Sequence, residues 1–522
     1  MLLSFTDCAK KGMPTGGPRD TIPPMILRSA PENFSTHFSN KEIEIRFDEY
    51  IKLNNVNQEL IISPPMTHGP IITPLSASKT LRIRIEDTLK PNTTYLFNFG
   101  NSIEDNNEGN VLEHFKYVFS TGSYVDSLTL SGRVRDAELT KPKPGATVML
   151  YEMNESYTDS IIYQEKPMYI TTTRDTTGVF QFTNLKEGAY LLVAIEEKNR
   201  RYIFNPREDK IGFIAEPITI PTDSSFVLTL FKEAREYKLS RPSLVGKNHI
   251  VFGYEGDGGN MQIEPISETP SDFKYATYKD QAKDSIHYWY KPIFEADSLL
   301  FAVKNKGQVD TAHVRMRELY LDSLSFSPVN PGRLKLKDTF KIRANRPIVS
   351  VDSEKMTIMS SDSIPINGEI RLNRKDNLAE IWFEKKESEA YNGRLLPGAM
   401  TDFFGKKNDS INFTLRTRSE TDYGTLTLNL ENIDQFPIIV QLVDDNYKVE
   451  AEAYLEDLQV VYFDEVLPKR YFLRIIFDDN ENRKWDSGSF LDRRDPERIL
   501  YYPTKIDVRA NWSLNETFRL GR

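Results

Sequence analysis

Apolar and polar residues alternate along most of the chain, and this alternation predicts β-strands. It is clearest in three runs: Ile43, Ile45 and Phe47; Leu81, Ile83 and Ile85; and Leu426, Leu428 and Leu430. A period of two buries one face of a strand and exposes the other to water. No helical period of comparable strength is present, and no stretch reaches the roughly 20 apolar residues of a membrane-spanning helix. The pattern therefore predicts an all-β protein.

Turns rich in Pro, Asn and Gly group these strands into several domains. At 522 residues the chain is too long for one hydrophobic core. Strands of five to eight residues at regular spacing are typical of β-sandwiches. We predict an N-terminal tether and five β-rich domains, with the ranges 1–23, 24–123, 124–235, 236–323, 324–420 and 421–522.

Cys8 is the only cysteine, so the chain forms no internal disulfide. It follows a short apolar run and precedes a stretch rich in Gly and Pro, residues 10–24, which has no apolar face to bury. This order is typical of a bacterial lipoprotein signal, in which the cysteine is acylated and becomes the mature N-terminus. Seven residues are fewer than a complete signal peptide needs, so we expect the natural start upstream. The alternative is a chance cysteine in a disordered terminus.

Three motifs in the first domain resemble the bacterial Ig-like domain of the SbsA type. They are Phe47-Asp48-Glu49 at a strand end, the turn Leu89-Lys90-Pro91-Asn92-Thr93-Thr94-Tyr95, and the closing Phe119-Ser120-Thr121-Gly122. Pro91 fixes the turn, and Tyr95 can bury its ring while keeping its hydroxyl at the rim. The spacing of the predicted strands in residues 324–420 is similar to the spacing in this first domain. This similarity favours a second Ig-like sandwich in residues 324–420.

The second domain resembles the carboxypeptidase regulatory-like, or transthyretin-like, sandwich, on the run from Arg174 to Ile195. That module is non-catalytic. A cysteine, a Gly/Pro tether, an SbsA-type domain and a regulatory-like domain in this order resemble the Ig-like lipoproteins of the Bacteroidota. The resemblance implies a lipid-anchored outer-membrane protein, displayed on the cell surface in preference to the periplasmic face. Residues 236–323 resemble no family.

Charge and motif content exclude several functions. A net charge of −9 and a pI near 5.5 argue against nucleic acid as a partner. The six histidines are dispersed, without the spacing of a zinc site, and the chain lacks a serine-hydrolase elbow, a Walker loop and a dinucleotide fingerprint. We therefore expect no enzymatic activity.

The sharpest polar motif is the loop from Phe477 to Gly488. Oxygen-bearing residues at alternate positions of one loop can surround a hard cation such as Ca²⁺. The candidate ligands are Asp478, Asn480, Asn482, Lys484 (through its backbone carbonyl) and Asp486. The loop departs from an EF-hand, because Arg483 replaces the turn glycine and Ser489 the bidentate glutamate. The alternative is a turn held by its own side chains.

The same strand and loop recur in the second domain, where Glu196, Lys198 and Arg200 stand for the Asp and Asn residues. If this repeat is real, the second and last domains share a fold, and we expect a structural Ca²⁺ only in the last.

Asp followed by Ser or Thr and an apolar residue recurs along the chain. The pattern resembles the O-glycosylation acceptor of exported Bacteroidota proteins, and sugars there would solubilise surface loops. The candidate acceptors are Ser127, Ser160, Ser285, Ser298, Thr311, Ser323, Ser363 and Ser410. Asp-Ser and Asp-Thr are also good turn-to-strand junctions, which is the simpler explanation.

Two functions remain open. The first is a non-enzymatic outer-membrane lipoprotein that binds a protein partner or scaffolds a complex for assembly, secretion or import. The second is carbohydrate binding or processing, which would need exposed aromatic platforms. The candidates for such a platform are Trp289, Trp382, Trp485 and Trp512, although a buried sandwich tryptophan is commoner.

Overall fold

The computed structural model describes residues 19–140, 144–173, 177–320 and 322–520. The fold is all-β, as the alternation predicts: nearly every element is a strand of an antiparallel sandwich. No helix in the described ranges is long and apolar enough to cross a membrane. Cys8, most of its tether and the start of the motif at Arg174 lie outside the described residues.

The chain divides into two compact units that do not follow the order of the sequence. Unit 1 comprises Met1–Glu233 and Ser487–Pro496, and unit 2 comprises Ala234–Asp486 and Glu497–Arg522. The predicted last domain is therefore interrupted. The cause is Phe490, which is fully buried in unit 1 and packs against Phe213 with a centroid distance of 5.3 Å.

The first sandwich, in unit 1, encloses the alternating residues that the sequence predicts to be buried, including Ile43, Ile45 and Phe47. Its elements are β1 (Ile26–Ala30), β2 (Glu42–Leu53), α1 (Val56–Glu59), β3 (Ile61–Ser63), β4 (Ile71–Thr73), β5 (Ser78–Arg84), β6 (Thr94–Asn98), β7 (Ile103–Asp105) and β8 (Lys116–Ser120). One sheet has the order β1-β2-β5-β4, with β7 paired to β2, and the other has the order β3-β6-β8.

The second sandwich, also in unit 1, has eight strands within the residues that the structure describes. They are β9 (Leu128–Asp136), β10 (Thr147–Glu152), β11 (Tyr169–Thr172), β12 (Val179–Leu185), β13 (Gly188–Glu196), β14 (Lys210–Phe213), β15 (Ile218–Ile220) and β16 (Ser225–Leu230). The sheet β11-β10-β13-β14, with β15 paired to β13, packs on the sheet β12-β9-β16, in which β16 runs parallel to β9.

The third sandwich opens unit 2 and is rich in buried aromatic residues. Its strands are β17 (Lys238–Leu239), β18 (Ser243–Gly246), β19 (His249–Glu255), β20 (Gln262–Pro265), β21 (Lys274–Lys279), β22 (Ser285–Lys291), β23 (Ser298–Asn305) and β24 (Gln308–Arg315). One sheet has the order β17-β19-β22-β21, with β18 on β19, and the other has the order β20-β23-β24.

The fourth sandwich contains β25 (Phe326–Pro328), β26 (Gly332–Leu334), β27 (Phe340–Ala344), β28 (Ile348–Val351), β29 (Met356–Ser360), β30 (Pro365–Ile366), β31 (Gly368–Asn373), β32 (Leu378–Phe383), β33 (Ala390–Leu395), β34 (Met400–Asp402) and β35 (Ile411–Thr417). The sheets β25-β27-β32-β31 and β26-β35-β33-β29-β30 enclose its core, and β28 pairs with β34.

The fifth sandwich has the same strand order as the second. Its strands are β36 (Gly424–Glu431), β37 (Ile438–Val443), β38 (Val449–Leu455), β39 (Val460–Val466), β40 (Arg470–Phe477), β41 (Ile499–Tyr501), β42 (Ile506–Asp507) and β43 (Ser513–Arg519). The sheet β38-β37-β40-β41 carries β42 on β40, and β43 runs parallel to β36 in the sheet β39-β36-β43.

One tyrosine marks the correspondence between these two sandwiches. Tyr190 pairs with Ile218 and donates from its buried ring to the carbonyl of Lys186 at 2.9 Å. Tyr471 pairs with Ile506 and donates to the carbonyl four residues earlier at 2.8 Å. A buried phenol needs such a partner, and the carbonyl of the preceding turn supplies it in both sandwiches.

Candidate functional site

The predicted calcium loop begins where β40 ends. Asp478 is fully buried, and its carboxylate accepts hydrogen bonds from the backbone N–H groups of Asn482 at 3.1 Å and Arg483 at 2.8 Å. Arg483 has a φ of 64°, a left-handed backbone conformation that residues other than glycine rarely adopt without such support. Asp478 therefore shapes the loop through its backbone, as the turn alternative predicts.

Two of the remaining predicted ligands, Asn480 and Asn482, converge on the carboxylate of a third, Asp486. The side-chain amide of Asn480 donates to Oδ2 of Asp486 at 2.6 Å, and the amide of Asn482 donates to the same oxygen. The backbone N–H of Lys484 donates to Oδ1 of Asn482 at 2.8 Å. The Oδ1 atom of Asn480 also accepts from the backbone N–H of Asn482 at 3.1 Å, so a backbone donor fixes the orientation of each amide.

Sequence reasoning missed Glu497, which is buried beside this loop. Its carboxylate accepts hydrogen bonds from the backbone N–H groups of Asp479 at 2.9 Å and Asp486 at 2.8 Å. Burial raises the pKa of Glu497, and the charges of Asp486 and Asp478 raise it further. Among the described residues, no group of three or more His, Cys, Asp or Glu side chains is close enough to hold a metal. Calcium would depend on the Asn oxygens.

The equivalent loop of the second sandwich corrects the sequence comparison by one residue. Glu197, not Glu196, occupies the position of Asp478. It accepts from the backbone N–H groups of Arg201 at 2.6 Å and Tyr202 at 3.1 Å, again four and five residues further on. Strand register decides the alignment, because Tyr190 and Tyr471 occupy the same position in their sheets.

The predicted glycosylation acceptors differ in exposure. Ser285 lies in β22 and is only 5% exposed, and Ser298 is half-buried. The remaining six are exposed: Ser127, Ser160, Thr311, Ser323, Ser363 and Ser410. The structure therefore separates six exposed residues from Ser285, which is buried in its strand, and Ser298, which is half-buried.

The four tryptophans form no common platform. Trp289 is buried in the third sandwich, and Trp485 is half-buried with its Nε1–H donating to the carbonyl of Glu497 at 3.0 Å. Trp382 and Trp512 are exposed, but they belong to the fourth and the fifth sandwich respectively. An arginine lies over each exposed ring.

Two of the histidines that look dispersed in the sequence meet in the third sandwich. Nε2 of His249 lies 2.8 Å from Nδ1 of His287, and Nε2 of His287 lies 3.1 Å from the Asp280 carboxylate. His249 is buried and stacks on Trp289 at 3.8 Å. Burial and the neighbouring His287 lower the pKa of His249 to about 3, so its ring is neutral. The two histidines meet because of the register between β19 and β22. The spacing of the histidines along the sequence does not reveal this register.

A polar cleft of about 600 Å³ lies in unit 1, where the first and second sandwiches meet. Hydroxyl, amide and cationic side chains line it, including Ser63, Asn98, Lys116, Thr172, Gln181 and Arg200. Several of them already bridge the two sandwiches: Ser63 accepts from the backbone N–H of Ile170 at 3.1 Å, and Lys116 donates to Thr183 at 3.2 Å.

These features define a protein of tandem β-sandwiches, and comparison with known families identifies the first of them. Residues 20–121 match the bacterial Ig-like domain family, which confirms the predicted Ig-like character of that domain. No curated protein matches the chain. The family match covers the first of the five sandwiches.

The solved structures found by comparison include a surface-layer protein and a pilin subunit. The surface-layer protein SbsC, domains 1–6, is 12% identical, with a TM-score of 0.16 over 93% of this chain and 67% of that chain. BcpA, the major pilin subunit of Bacillus cereus, is 10% identical, with a TM-score of 0.15 over 76% and 99%. At these TM-scores the similarities carry no argument about what this chain does.

Proposed function

We propose that this protein is a non-enzymatic outer-membrane lipoprotein that binds a protein partner and acts as a scaffold, as an accessory subunit of a complex for assembly, secretion or import. Its Ig-like sandwiches fit a surface or scaffold role. In this proposal Cys8 carries the lipid and the chain faces the outside of the cell.

The hydrogen-bonded junction inside unit 1 carries the proposal. Thr94 donates to the Asp126 carboxylate at 2.7 Å, and the side-chain amide of Asn184 donates to the Asp126 carbonyl at 2.9 Å. Lys166 reaches from the second sandwich to the carbonyl of Met66 at 2.8 Å. A flexible spacer would not need such contacts, whereas a scaffold gains a fixed presentation of its loops from them.

The polar cleft favours a second candidate, the binding of a hydroxyl-rich ligand such as a glycan. Its Thr172 and Gln181 side chains offer donors and acceptors of the kind that sugars use. The separation of Trp382 and Trp512 argues against an aromatic platform of the usual kind. We therefore place this candidate second.

The test is a pull-down of the tagged full-length protein from mildly cross-linked, detergent-solubilised membranes of the native host. We expect a stoichiometric outer-membrane partner, and we expect Cys8→Ala to release the protein from the membrane fraction. Asp126→Ala, which breaks the junction, should reduce recovery of the partner, whereas the exposed Asp223→Ala should not. Recovery of the protein alone would overturn the scaffold proposal and favour glycan binding.

A further inference from the structure

The loops that follow β13 and β40 have matching backbone turns but opposite charges. Arg200 in the second sandwich and Glu481 in the fifth occupy the same position, three residues after the carboxylate that accepts the N–H groups of the loop. Their φ values are 46° and 62°, and the residues two positions further on have φ values of 58° and 64°. Residues 198–201 read Lys-Asn-Arg-Arg, whereas residues 479–482 read Asp-Asn-Glu-Asn. The second sandwich therefore carries a basic version of the acidic loop in the fifth.

The basic loop lines a cavity of about 720 Å³ in unit 1. The lining includes the cationic side chains of Lys166, Arg200 and Arg201. The amides of Asn199 and Asn205 add neutral hydrogen-bonding groups. Of the described residues, no Asp or Glu lines this cavity. A cavity lined by charge of one sign attracts ligands of the other sign, so this one favours an anion.

Two of the three cations form no ion pair among the described residues. The ammonium of Lys166 donates to the carbonyl of Met66 at 2.8 Å, and Nη1 of Arg200 donates to the carbonyl of Leu60 at 3.5 Å. Arg201 differs, because it pairs with two carboxylates at 3.2 Å and 3.4 Å. An ammonium has three donors and a guanidinium has five, so Lys166 and Arg200 both keep donors for a ligand.

Arg200 also lines the polar cleft of unit 1, so the cavity and the cleft share a wall. The cleft offers hydroxyl and amide groups, among them Thr172 and Gln181. The carboxylate of Glu59, which lines the cleft as well, accepts from the backbone N–H of Asn101 at 3.2 Å. A ligand that occupies both spaces would therefore combine an anionic group with several hydroxyl groups.

We propose that unit 1 binds an acidic saccharide, with a carboxylate or phosphate group held by Lys166 and Arg200 and with hydroxyl groups in the polar cleft. The guanidinium of an arginine presents paired N–H donors that match the oxygens of either anion. This site rests on the second candidate function, glycan binding, and specifies the class of its ligand. The equivalent loop of the fifth sandwich presents carboxylates and amides instead, so the same backbone serves ligands of opposite charge.

Calorimetry with the full chain at low salt tests the site with two matched pairs of probes. A galacturonate hexasaccharide is compared with maltohexaose, and a hexose phosphate is compared with the free hexose. We expect at least one acidic probe to bind about tenfold or more tightly than its neutral counterpart, because hydrogen bonds to charged groups are the stronger ones. Added salt should weaken this binding, since it screens the charges.

Arg200→Glu is the decisive variant, because Glu481 occupies the same turn of the fifth sandwich and the backbone therefore accepts glutamate. We expect it to weaken binding of the acidic probe by about tenfold or more, with the affinity for the neutral probe unchanged. Lys166→Gln, on a different segment, should weaken acidic-probe binding as well. Lys198→Glu is the matched control, because it makes the same change of charge in the same loop at an exposed residue outside the cavity lining. It should change the affinity by less than about twofold.

The possible outcomes separate this site from the other proposals. Equal affinity for acidic and neutral probes would overturn the acidic ligand and leave glycan binding in place. No binding of any probe would overturn both, while the pull-down still tests the scaffold function. Equal effects of Arg200→Glu and Lys198→Glu would also overturn the site, because net charge alone would then explain the loss.

Discussion

Glu197 and Asp478 occupy the same position at the ends of equivalent strands, and each accepts hydrogen bonds from the backbone N–H groups four and five residues further on. The second and fifth sandwiches also share their strand order and their tyrosine contact. The shared carboxylate is therefore part of the common fold, and it organises the loop in both copies whatever else the loop binds.

This relationship predicts the effect of removing either carboxylate. Glu197→Ala and Asp478→Ala each leave two backbone donors without their acceptor, so we expect each to lower the free energy of unfolding by about 1–3 kcal/mol. Chemical denaturation in EDTA measures the effect without calcium. An Asp478→Ala protein as stable as the wild type under these conditions would contradict the backbone role.

Calcium binding by the loop is a separate prediction. We expect Ca²⁺ to raise the melting temperature of the wild type, because an ion that binds only the folded state stabilises it. Asp486→Asn should abolish this rise, since Asp486 is the carboxylate on which Asn480 and Asn482 converge. Asp479→Asn is the control, because that side chain accepts from Gln435 instead. Identical melting curves in calcium and EDTA would refute the prediction.

Asp105 predicts a pH dependence in the first sandwich. Burial alone would raise the pKa of Asp105, but its hydrogen bonds outweigh burial and lower it. The donors are the backbone N–H groups of Asn107, Glu108, Gly109 and Asn110. A lowered pKa contributes stability that is present above the unfolded value of about 3.9 and is lost as the pH falls through the folded value.

The substitution that tests this is Asp105→Asn. We expect it to cost about 1–3 kcal/mol of unfolding free energy at pH 7 and progressively less below about pH 4. Urea denaturation at a series of pH values measures the difference. Asp223→Asn, at an exposed carboxylate, should cost nothing at any pH. A constant deficit in Asp105→Asn would show that its charge is not the cause.

The buried ring of Phe490 predicts that unit 1 depends on residues far along the chain. Phe490→Ala removes a fully buried side chain, which costs about 3–5 kcal/mol. We expect faster hydrogen exchange in β13 and β14, whereas the exposed Leu491→Ala should change little. All four tryptophans belong to unit 2, so their fluorescence monitors that unit separately. Unchanged exchange in Phe490→Ala would contradict the packing.

Burial predicts which acceptors carry sugar if the chain is glycosylated. Mass spectrometry of the protein from its native host should find glycan on Ser160 and none on Ser285, because Ser285 is buried in β22. Ser160→Ala should remove the mass of the glycan from the intact protein, whereas Ser285→Ala should change the mass only by the difference between the two side chains. Modification at Ser285 would mean that sugar is added before folding.

The sequence by itself determined the fold class, because a period of two along the chain can bury only one face of each strand. Ile43, Ile45 and Phe47 are all fully buried for this reason. The motifs around Tyr95 were also sufficient to predict the Ig-like first domain, since a turn and its strand are local in the chain. Local sequence patterns predict a strand and its adjoining turn, but not the contacts between distant strands.

The tertiary structure alone decided which distant residues meet. It pairs His249 with His287 through the register of two strands, and it buries Phe490 against Phe213 in a unit that sequence order does not suggest. It also adds Glu497 to the polar loop. Such contacts depend on how strands align and pack. Many residues of each sheet contribute to the free energy of that alignment, so no single sequence motif predicts it.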